Sequence, residues 1–436
     1  MTMPNTNETV SRRSFLKLTS ASVMSAAAAA ASVGMTAEDV MAKSYDDFPV
    51  PLSKDFAPHS QRDLVLTRAA AGINPELTKM LKQVGNREPQ EDIPGYSQLD
   101  NALTAASWAV HDVLMPGDSA GITNTGVNSW DLYNKDKNSN AFQFENPQHA
   151  SIAIKKAAQS FGAINCGIAR RDERWDYKEF FSPGRGSFGW EDFPFEPKSV
   201  IVMAVPMDYH MISTSPAWTS SGTVGDGYSR MAKVATCIAQ FMRGLGYNAI
   251  CAGNSMANSV AYGIMAGLGE GGRNGALIMP KHGPRFRICK VYTDFEGAEY
   301  DKPMTFGVAS FCERCKRCAD ACPSKAIPHD DKPSFMPTYS TNPDETWNNQ
   351  KGIYKYYSNS KKCLKFWGEN GNDCSNCISS CPYNKPDFWH HRLVDVMNTI
   401  SPGAVHTMMR EMDILFGYGK VGDPEKVVKF WSTAEF

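Results

Sequence analysis

Apolar and polar residues follow two different periods in the middle of the chain. Ser199–Pro206 is a continuous apolar run of strand length, which predicts a strand buried on both faces. Tyr228–Leu245 has the spacing of an amphipathic helix and is followed by a glycine. The same reasoning predicts helices over His149–Phe161 and Ser259–Leu268, and strands over Ala163–Ile168, Asn248–Ala252, Ala276–Met279 and Arg287–Tyr292, the last two as a pair around Lys281–Pro284. Strands that alternate with helices favour an α/β or α+β layered domain.

The segments on either side of this region have weaker periodicity. Residues 43–145 are polar and rich in Asn, Gly, Pro and Asp, which predicts an irregular N-terminal region with a few helices, such as Leu99–Leu114. Residues 301–390 are rich in Cys and punctuated by Gly and Pro, and residues 391–436 are predicted to be a helical tail. The layered domain is therefore expected over residues 146–300.

The first 42 residues are predicted to be an export signal. Arg12 and Arg13, within SRRSFLK, form a twin-arginine pair, and the Ala-rich stretch that follows is too short for a confident membrane span. Val40, Met41 and Ala42 are small or modest residues at the positions that a signal peptidase reads. We therefore expect cleavage after Ala42 and exclude this segment from the fold. The twin-arginine route exports folded proteins, which suits a protein that acquires metal clusters before it reaches an oxidising compartment.

Composition and charge limit the class of partner. The chain has 436 residues, 42% of them hydrophobic and 21% charged, which predicts a packed globular body with two or three domains. Its formal net charge of -1 argues against nucleic acid as the main partner, because phosphate binding needs a basic surface.

Eight of the twelve cysteines lie in two ferredoxin-type motifs. The first is C-x2-C-x2-C-x3-C-P, and the second is C-x2-C-x3-C-P with one cysteine further upstream. In the bacterial ferredoxin pattern three closely spaced thiolates bind one cubane, and the fourth reaches the neighbouring cluster. This crossed rule assigns to cluster one Cys312, Cys315, Cys318 and Cys381, and to cluster two Cys322, Cys363, Cys374 and Cys377.

Other ligand sets stay open for these cysteines. C-x2-C spacings also bind zinc, although two successive C-x3-C-P endings are not a zinc-ribbon feature. Cys363 lies far upstream of Cys374 for a regular ferredoxin, so a three-iron second cluster or a different ligand remains an alternative. The remaining cysteines have apolar neighbours and are predicted to be buried thiols: Cys166, Cys237, Cys251 and Cys289.

A series of motifs before the cysteines resembles a known family. It consists of AGLGEGGRNG at 266–275, GPRFR at 283–287 and VYTD at 291–294, and it is followed by the first cysteine motif. Over about residues 145–390 the chain resembles the corrinoid-dependent reductive dehalogenases of organohalide-respiring bacteria and their relative, epoxyqueuosine reductase. The twin-arginine signal favours the dehalogenases.

The resemblance implies a fold and a reaction. The expected fold is a nitroreductase-like corrinoid-binding domain followed by a ferredoxin-like domain with two [4Fe-4S] clusters. The expected reaction is removal of halide from an organohalide by a Co(I) corrinoid that the clusters reduce, as the terminal reductase of organohalide respiration. The alternatives are an exported corrinoid reductase of a non-halogenated substrate and a non-catalytic electron-transfer protein.

The resemblance also implies site residues. Tyr228 matches the proton-donating tyrosine, Arg285 the basic residue beside it, with Arg287 as nearest competitor, and Asn254 a polar residue on the substrate side. A neighbouring arginine favours the phenolate and so makes a tyrosine a better acid. Backbone of the glycine-rich run can approach a flat ligand closely, which assigns to the corrinoid Gly267, Gly269, Gly272, Arg273, Asn274 and Gly275.

Further expectations concern the surroundings of the site. Trp130 is a candidate wall of an apolar pocket, with core packing as the alternative, and His210 is predicted to be a loop histidine rather than a cobalt ligand. The expected partners are an organohalide substrate, a respiratory electron donor and a small integral membrane anchor on the outer face of the cytoplasmic membrane. A homodimer is an alternative to a monomer.

Overall fold

A four-stranded antiparallel sheet forms the centre of the computed structural model. The structure describes residues 43–114, 135–182, 186–386 and 403–433. The strands are, in chain order, β1 (Lys43–Ser44), β2 (Asn165–Arg170), β3 (Phe180–Ser182), β4 (Gly186–Phe188), β5 (Ser199–Pro206), β6 (Ala249–Ala252), β7 (Glu270–Gly271), β8 (Leu277–Ile278), β9 (Phe286–Thr293) and β10 (Met304–Thr305). The central sheet has the order β2-β5-β9-β6, and three two-stranded ladders join β1 to β10, β3 to β4 and β7 to β8.

Helices cover both faces of this sheet and continue into the cysteine-rich region. Those of the described residues are, in chain order, α1 (Val65–Ala70), α2 (Pro75–Gln83), α3 (Gln98–Ser107), α4 (Ala109–Leu114), α5 (Pro147–Phe161), α6 (Tyr209–Ser213), α7 (Trp218–Gly244), α8 (Ser259–Met265), α9 (Val308–Cys315), α10 (Arg317–Asp320), α11 (Pro343–Thr346), α12 (Ser360–Asn370), α13 (Asn376–Ser379), α14 (Gly403–Leu415) and α15 (Pro424–Ser432). None of them is both long and apolar enough to cross a membrane.

Strand β5 is buried on both faces, as its continuous apolar run predicts. Alternate side chains enter two different cores. Val200, Val202 and Ala204 pack in the core that contains α8, whereas Ile201 and Met203 pack in the core that contains α5 and α7. The prediction of a layered α and β domain is therefore confirmed.

Helix α7 begins ten residues earlier than its hydrophobic pattern predicts, at Trp218 rather than Tyr228. Its first turns are rich in Ser, Thr and Gly and are nevertheless buried. The Trp218 indole donates a hydrogen bond to the Asn370 carbonyl at 2.9 Å, and the Ser221 hydroxyl donates to the Asp373 carboxylate at 2.9 Å. Small residues are used here because the helix approaches the cysteine-rich region closely.

The structure corrects two other predicted elements. Strand β8 pairs with β7, and β9 pairs with β5 and β6, so the expected pairing of β8 with β9 is wrong. Backbone hydrogen bonds between Met279 and Gly283 close a tight turn, but the chain then enters the central sheet instead of folding back on β8. The helix predicted over Leu99–Leu114 is broken at Trp108 into α3 and α4.

Candidate active site and cluster sites

The eight motif cysteines lie in two groups of four. Electrostatic interactions link Cys318 to Cys312, Cys315 and Cys381, and more weakly to Cys377. A second set of interactions links Cys377 to Cys322, Cys363 and Cys374. These links follow the crossed assignment, which stays a prediction, and they show that the two sets adjoin each other.

Burial makes these thiols poor acids in the absence of a metal. It raises the pKa of Cys312 to about 11 and that of Cys315, Cys363 and Cys374 to about 12. It also raises the pKa of Cys318, Cys377 and Cys381. Buried thiolates therefore need a positive partner, which iron supplies when the ligands release their protons. The chemistry of this donor set fits iron–sulfur clusters.

Glu270 and Arg273 connect the glycine-rich segment to the first cysteine motif. The buried Glu270 carboxylate accepts backbone N–H groups of Phe306, Val308 (3.2 Å) and Ala309 (3.4 Å), where α9 begins. Burial raises the pKa of Glu270, and these backbone donors oppose the rise. The Arg273 guanidinium donates to the Cys312 carbonyl at 2.9 and 3.1 Å.

This placement corrects the assignment of the glycine-rich segment as a corrinoid cradle. Gly272, Arg273 and Asn274 line a small cavity together with the cysteines of cluster one. A Cβ on Gly269 would lie 2.0 Å from the Ile278 carbonyl oxygen, and one on Gly267 would lie 2.7 Å from the Lys302 carbonyl oxygen. These two glycines permit contact between backbones rather than with a ligand.

Asn274 and Gly275 complete this segment. The Asn274 amide donates to the Cys377 carbonyl at 3.3 Å, so this side chain also belongs to the cluster region. Gly275 has a φ of +78°, and no atom lies within 4 Å of the Cβ that a larger residue would carry there. Its turn conformation, rather than a close approach to another group, is the feature that requires glycine.

Tyr228 and Asn254 are brought together, as the resemblance implies. The Asn254 amide donates a hydrogen bond to the Tyr228 phenol oxygen at 2.7 Å. The Tyr228 ring stacks on Trp108, with centroids 4.8 Å apart, and meets the edge of His111 at 5.6 Å. Tyr228 lies in α7 and packs against the core that contains Ile201 and Met203 of β5, while Asn254 lies just after β6.

Arg287, not Arg285, is the basic residue beside Tyr228. The Arg287 guanidinium carbon lies 4.9 Å from the centroid of the Tyr228 ring. The Arg285 guanidinium instead donates to the Met207 carbonyl at 2.7 Å and to the Asn384 side chain at 3.0 Å. These contacts direct Arg285 towards the cysteine-rich region, which corrects its predicted place.

Asp373 connects the Tyr228 site to cluster two. It directly precedes Cys374 in the chain, and burial raises its pKa to about 6, while the nearby Arg287 charge and the Ser221 hydroxyl oppose that rise. Ile378, one residue after Cys377, packs in the same apolar cluster as Tyr228. Asp373 could not be found from the sequence, because an acidic residue beside a cysteine motif gives no sign of which residue it contacts in space.

Two further predictions concern His210 and Trp130. His210 is exposed in the short helix α6, whose start is capped by Asp208 through a 2.7 Å hydrogen bond from the Met211 N–H. His210 therefore lies in a short helix and not in the loop predicted from the sequence. That it does not bind cobalt stays a prediction. Trp130 lies outside the described residues.

Comparisons with known protein families match both halves of this arrangement. The family model of a reductive dehalogenase subunit matches residues 189–296, and that of a 4Fe-4S dicluster domain matches residues 311–385. The second match supports the iron–sulfur reading of the cysteines over the zinc alternative.

Solved structures share the fold. A catabolic reductive dehalogenase superposes with a TM-score of 0.69 at 21% identity, over 90% of this chain and 50% of that one. A reductive dehalogenase whose structure suggested a mechanism for B12-dependent dehalogenation gives a TM-score of 0.68 at 20% identity, over 91% and 50%. The chain therefore spans about half the length of these solved proteins.

Curated relatives are more similar in sequence. A tetrachloroethene reductive dehalogenase of Desulfitobacterium hafniense is 36% identical over 411 residues, covering 78% of this chain and 73% of that protein. One from Sulfurospirillum multivorans is 31% identical over 361 residues, covering 74% and 69%. With its dicluster domain and its dehalogenase fold, the chain belongs to the reductive dehalogenase family of oxidoreductases.

Proposed function

We propose that this chain removes halide from a chlorinated ethene at a corrinoid that two [4Fe-4S] clusters reduce. The observation that carries the proposal is the arrangement of Tyr228, whose phenol is held by Asn254 and lies beside Arg287, next to the cysteines of cluster two. The substrate class is suggested by the relatives, which are named for tetrachloroethene.

The residues around Tyr228 fit a bound corrinoid and substrate. Nε of Arg287 is buried and has no hydrogen-bond partner among the described residues, which is costly unless a ligand supplies an acceptor. Asn254 is exposed and Tyr228 is half-buried, so both side chains are at least partly accessible. When bound, the corrinoid supplies the reduced cobalt that breaks the carbon–halogen bond.

Residues of the chain itself donate the proton and stabilise the anion that remains. The Tyr228 O–H is the donor that protonates the carbon from which halide leaves. The Asn254 N–H already points at the phenol oxygen, and this contact strengthens when that oxygen becomes an anion. The positive charge of Arg287 favours the same anion. Asn254 and Arg287 thus both favour the state that follows proton transfer from Tyr228.

We further propose that cluster two is the last cluster on the electron path. Asp373 and Ile378, which flank cluster two ligands, contact the surroundings of Tyr228. Cluster one adjoins cluster two through Cys318 and Cys377. Electrons from an external donor would therefore enter at cluster one.

The proton-transfer role is tested by Tyr228→Phe. This variant removes the hydroxyl and keeps the ring that stacks on Trp108, so iron and cobalt contents should not change. Turnover of tetrachloroethene, measured as chloride release, should fall ~100-fold or more. Tyr247→Phe, which removes the phenol that binds the Phe142 carbonyl, is the matched control and should stay active. Undiminished turnover in Tyr228→Phe would reject the role.

The substrate class needs a separate measurement. A panel of chlorinated ethenes, chlorinated ethanes and brominated phenols should give the fastest halide release with the ethenes. Halide release from none of them, by enzyme with full iron and cobalt, would favour the alternative of a non-halogenated substrate.

Export and attachment complete the proposal. The pair Arg12–Arg13 supports twin-arginine export, and the family resemblance supports a small integral membrane anchor and a respiratory electron donor. Replacing both arginines with lysine should keep the protein inside the cell. Unchanged export of that variant would contradict the proposed route.

A further inference from the structure

A buried group of charges lies beside cluster one and includes a residue of the C-terminal segment. Asp413, in α14, forms ion pairs with both Arg317 and Lys385. The exposed fraction of the side chain is 6% for Asp413, 11% for Arg317 and 13% for Lys385. Solvent therefore screens these charges weakly, and their effect on a neighbouring redox centre is large compared with that of surface charges.

These charges are fixed next to the ligands of cluster one. Arg317 directly precedes Cys318, and Lys385 follows the Cys381-Pro382 ending of the second motif. The second Arg317 amino group donates to the Tyr418 carbonyl at 2.6 Å, so the segment after α14 holds the guanidinium from a second side. The two cations and one carboxylate of this group sum to a net positive charge beside cluster one.

The remainder of α14 covers the same cluster. The Arg410 guanidinium donates to the Cys315 carbonyl at 2.8 Å, and Met409 is buried in the apolar cluster that contains Phe311 and Cys315. His406 meets the Phe311 ring at 5.5 Å. The helix is thus a fixed part of the wall of cluster one, and its residue Asp413 is held in place beside the cluster.

Cluster two has a buried carboxylate beside two of its ligands, in addition to the more distant Arg287 charge. Asp373 is the charged side chain that acts on both Cys363 and Cys374, and it is buried. A cluster becomes more negative when it takes up an electron, so nearby cations favour its reduced form and nearby anions favour its oxidised form.

We propose that Arg317, Lys385 and Asp413 set the reduction potential of cluster one, with the two cations raising it and the carboxylate limiting that rise. The proposal rests on the two clusters and not on the identity of the substrate. Its test can therefore fail while the proposed dehalogenation stands, and the reverse is also true.

The test is a potentiometric titration of the anaerobic holoenzyme, followed by electron paramagnetic resonance. The potential of cluster one is compared in the wild type, in Asp413→Asn and in Arg317→Gln. Arginine stays charged at any accessible pH, so its removal changes the charge without a change of protonation. A Cys363→Ser variant alters the signal of cluster two and so assigns the two signals.

The expected order of potentials for cluster one is Asp413→Asn above wild type above Arg317→Gln, with a smaller change at cluster two. Any other order, or equal shifts at both clusters, overturns the proposal. Iron and sulfide contents are measured for each variant to establish that both clusters are present.

Two controls separate charge from structure. Arg317→Lys keeps the charge but loses the planar guanidinium, and its cluster one potential should stay near that of the wild type. If Arg317→Gln loses iron, Arg317→Lys becomes the deciding variant. A shift of its cluster one potential as large as that of Asp413→Asn would then contradict a charge effect. Asp331→Asn breaks an ion pair with Lys316 in which the carboxylate is 86% exposed, and should leave both potentials unchanged.

Discussion

Arg285 and Arg287 lie two positions apart and differ in what they contact. Arg287 is the second residue of β9, whereas Arg285 lies in the turn just before that strand. The sequence around them does not show which of the two side chains meets Tyr228. Only the packing of α7 and of the cysteine-rich region shows that Arg287 meets Tyr228 and that Arg285 meets Asn384. That Tyr228 and Asn254 belong to one site, in contrast, was predictable from the motifs.

Replacement of each arginine by glutamine should give different results. Arg287→Gln removes the charge beside the phenol, so turnover should fall about 10-fold or more, a loss of ~1.4 kcal/mol in transition-state stabilisation. Arg285→Gln should mainly lower the unfolding temperature, because it breaks the contacts with Met207 and Asn384. Steady-state kinetics and thermal unfolding of both variants provide the measurement. Equal loss of turnover in the two would contradict the corrected assignment.

Lys290 should make stability depend on pH. Burial lowers its pKa to about 7, while its amino group donates to the Gly253 carbonyl at 2.5 Å and to the Ser259 hydroxyl at 2.6 Å. An unfolded lysine keeps its proton to about pH 10.4, so between these values the unfolded chain binds more protons. The free energy of unfolding should therefore rise with pH in this window.

The measurement for Lys290 is urea unfolding of the wild type and of Lys290→Met across that window. The variant lacks the titrating group and should show a smaller rise of the unfolding free energy with pH. Other groups contribute equally to both proteins, so a rise that is the same in both would refute the prediction.

At the scale of elements, predictions succeeded where hydrophobic periodicity is strong. Strand β5 has the bounds that its apolar run indicates. The first turns of α7 were missed because Ser, Thr and Gly have low helix propensity, and tertiary contact with residues 370–373 stabilises them instead. The two-residue strands β7 and β8 are too short for periodicity to identify a partner.

Glu270 is predicted to stabilise α9 from a distance in sequence. Its carboxylate serves as the cap that the chain before the helix lacks, and hydrogen bonds to a charged acceptor contribute ~1.5–3 kcal/mol. Glu270→Gln should lower the unfolding free energy by about 1–3 kcal/mol and speed the loss of iron to a chelator. Glu313→Gln is the control, because Glu313 lies in the same helix and the change breaks its partly exposed ion pair with Lys332. Equal effects in the two variants would show that Glu270 does not act as a cap.

At the scale of the molecule, the two regions are joined by specific buried contacts. Trp218, Arg273 and Arg285 each bind backbone or side-chain groups of the cysteine-rich region. The order of the regions could be predicted from the motifs. The position of the C-terminal segment against cluster one could not, because a helical pattern does not specify the surface on which a helix packs.

Removal of iron should therefore destabilise the whole molecule. Seven of the motif thiols have a raised pKa through burial, so the emptied sites leave poorly solvated sulfur atoms without their partner. After anaerobic chelation the unfolding temperature should fall by about 10 °C or more, because metal binding contributes folding free energy. Circular dichroism in the helical region follows the transition. If the domain that contains the central sheet still unfolded at its original temperature after chelation, the two regions would not stabilise each other, contrary to the prediction.

The most direct measurement of the central claim is the metal content of anaerobically purified protein after supply of a cobamide. The account predicts iron, sulfide and cobalt together, in the ratio that two [4Fe-4S] clusters and one corrinoid require. Iron and sulfide at that level without any cobalt would contradict it and would leave an electron-transfer protein.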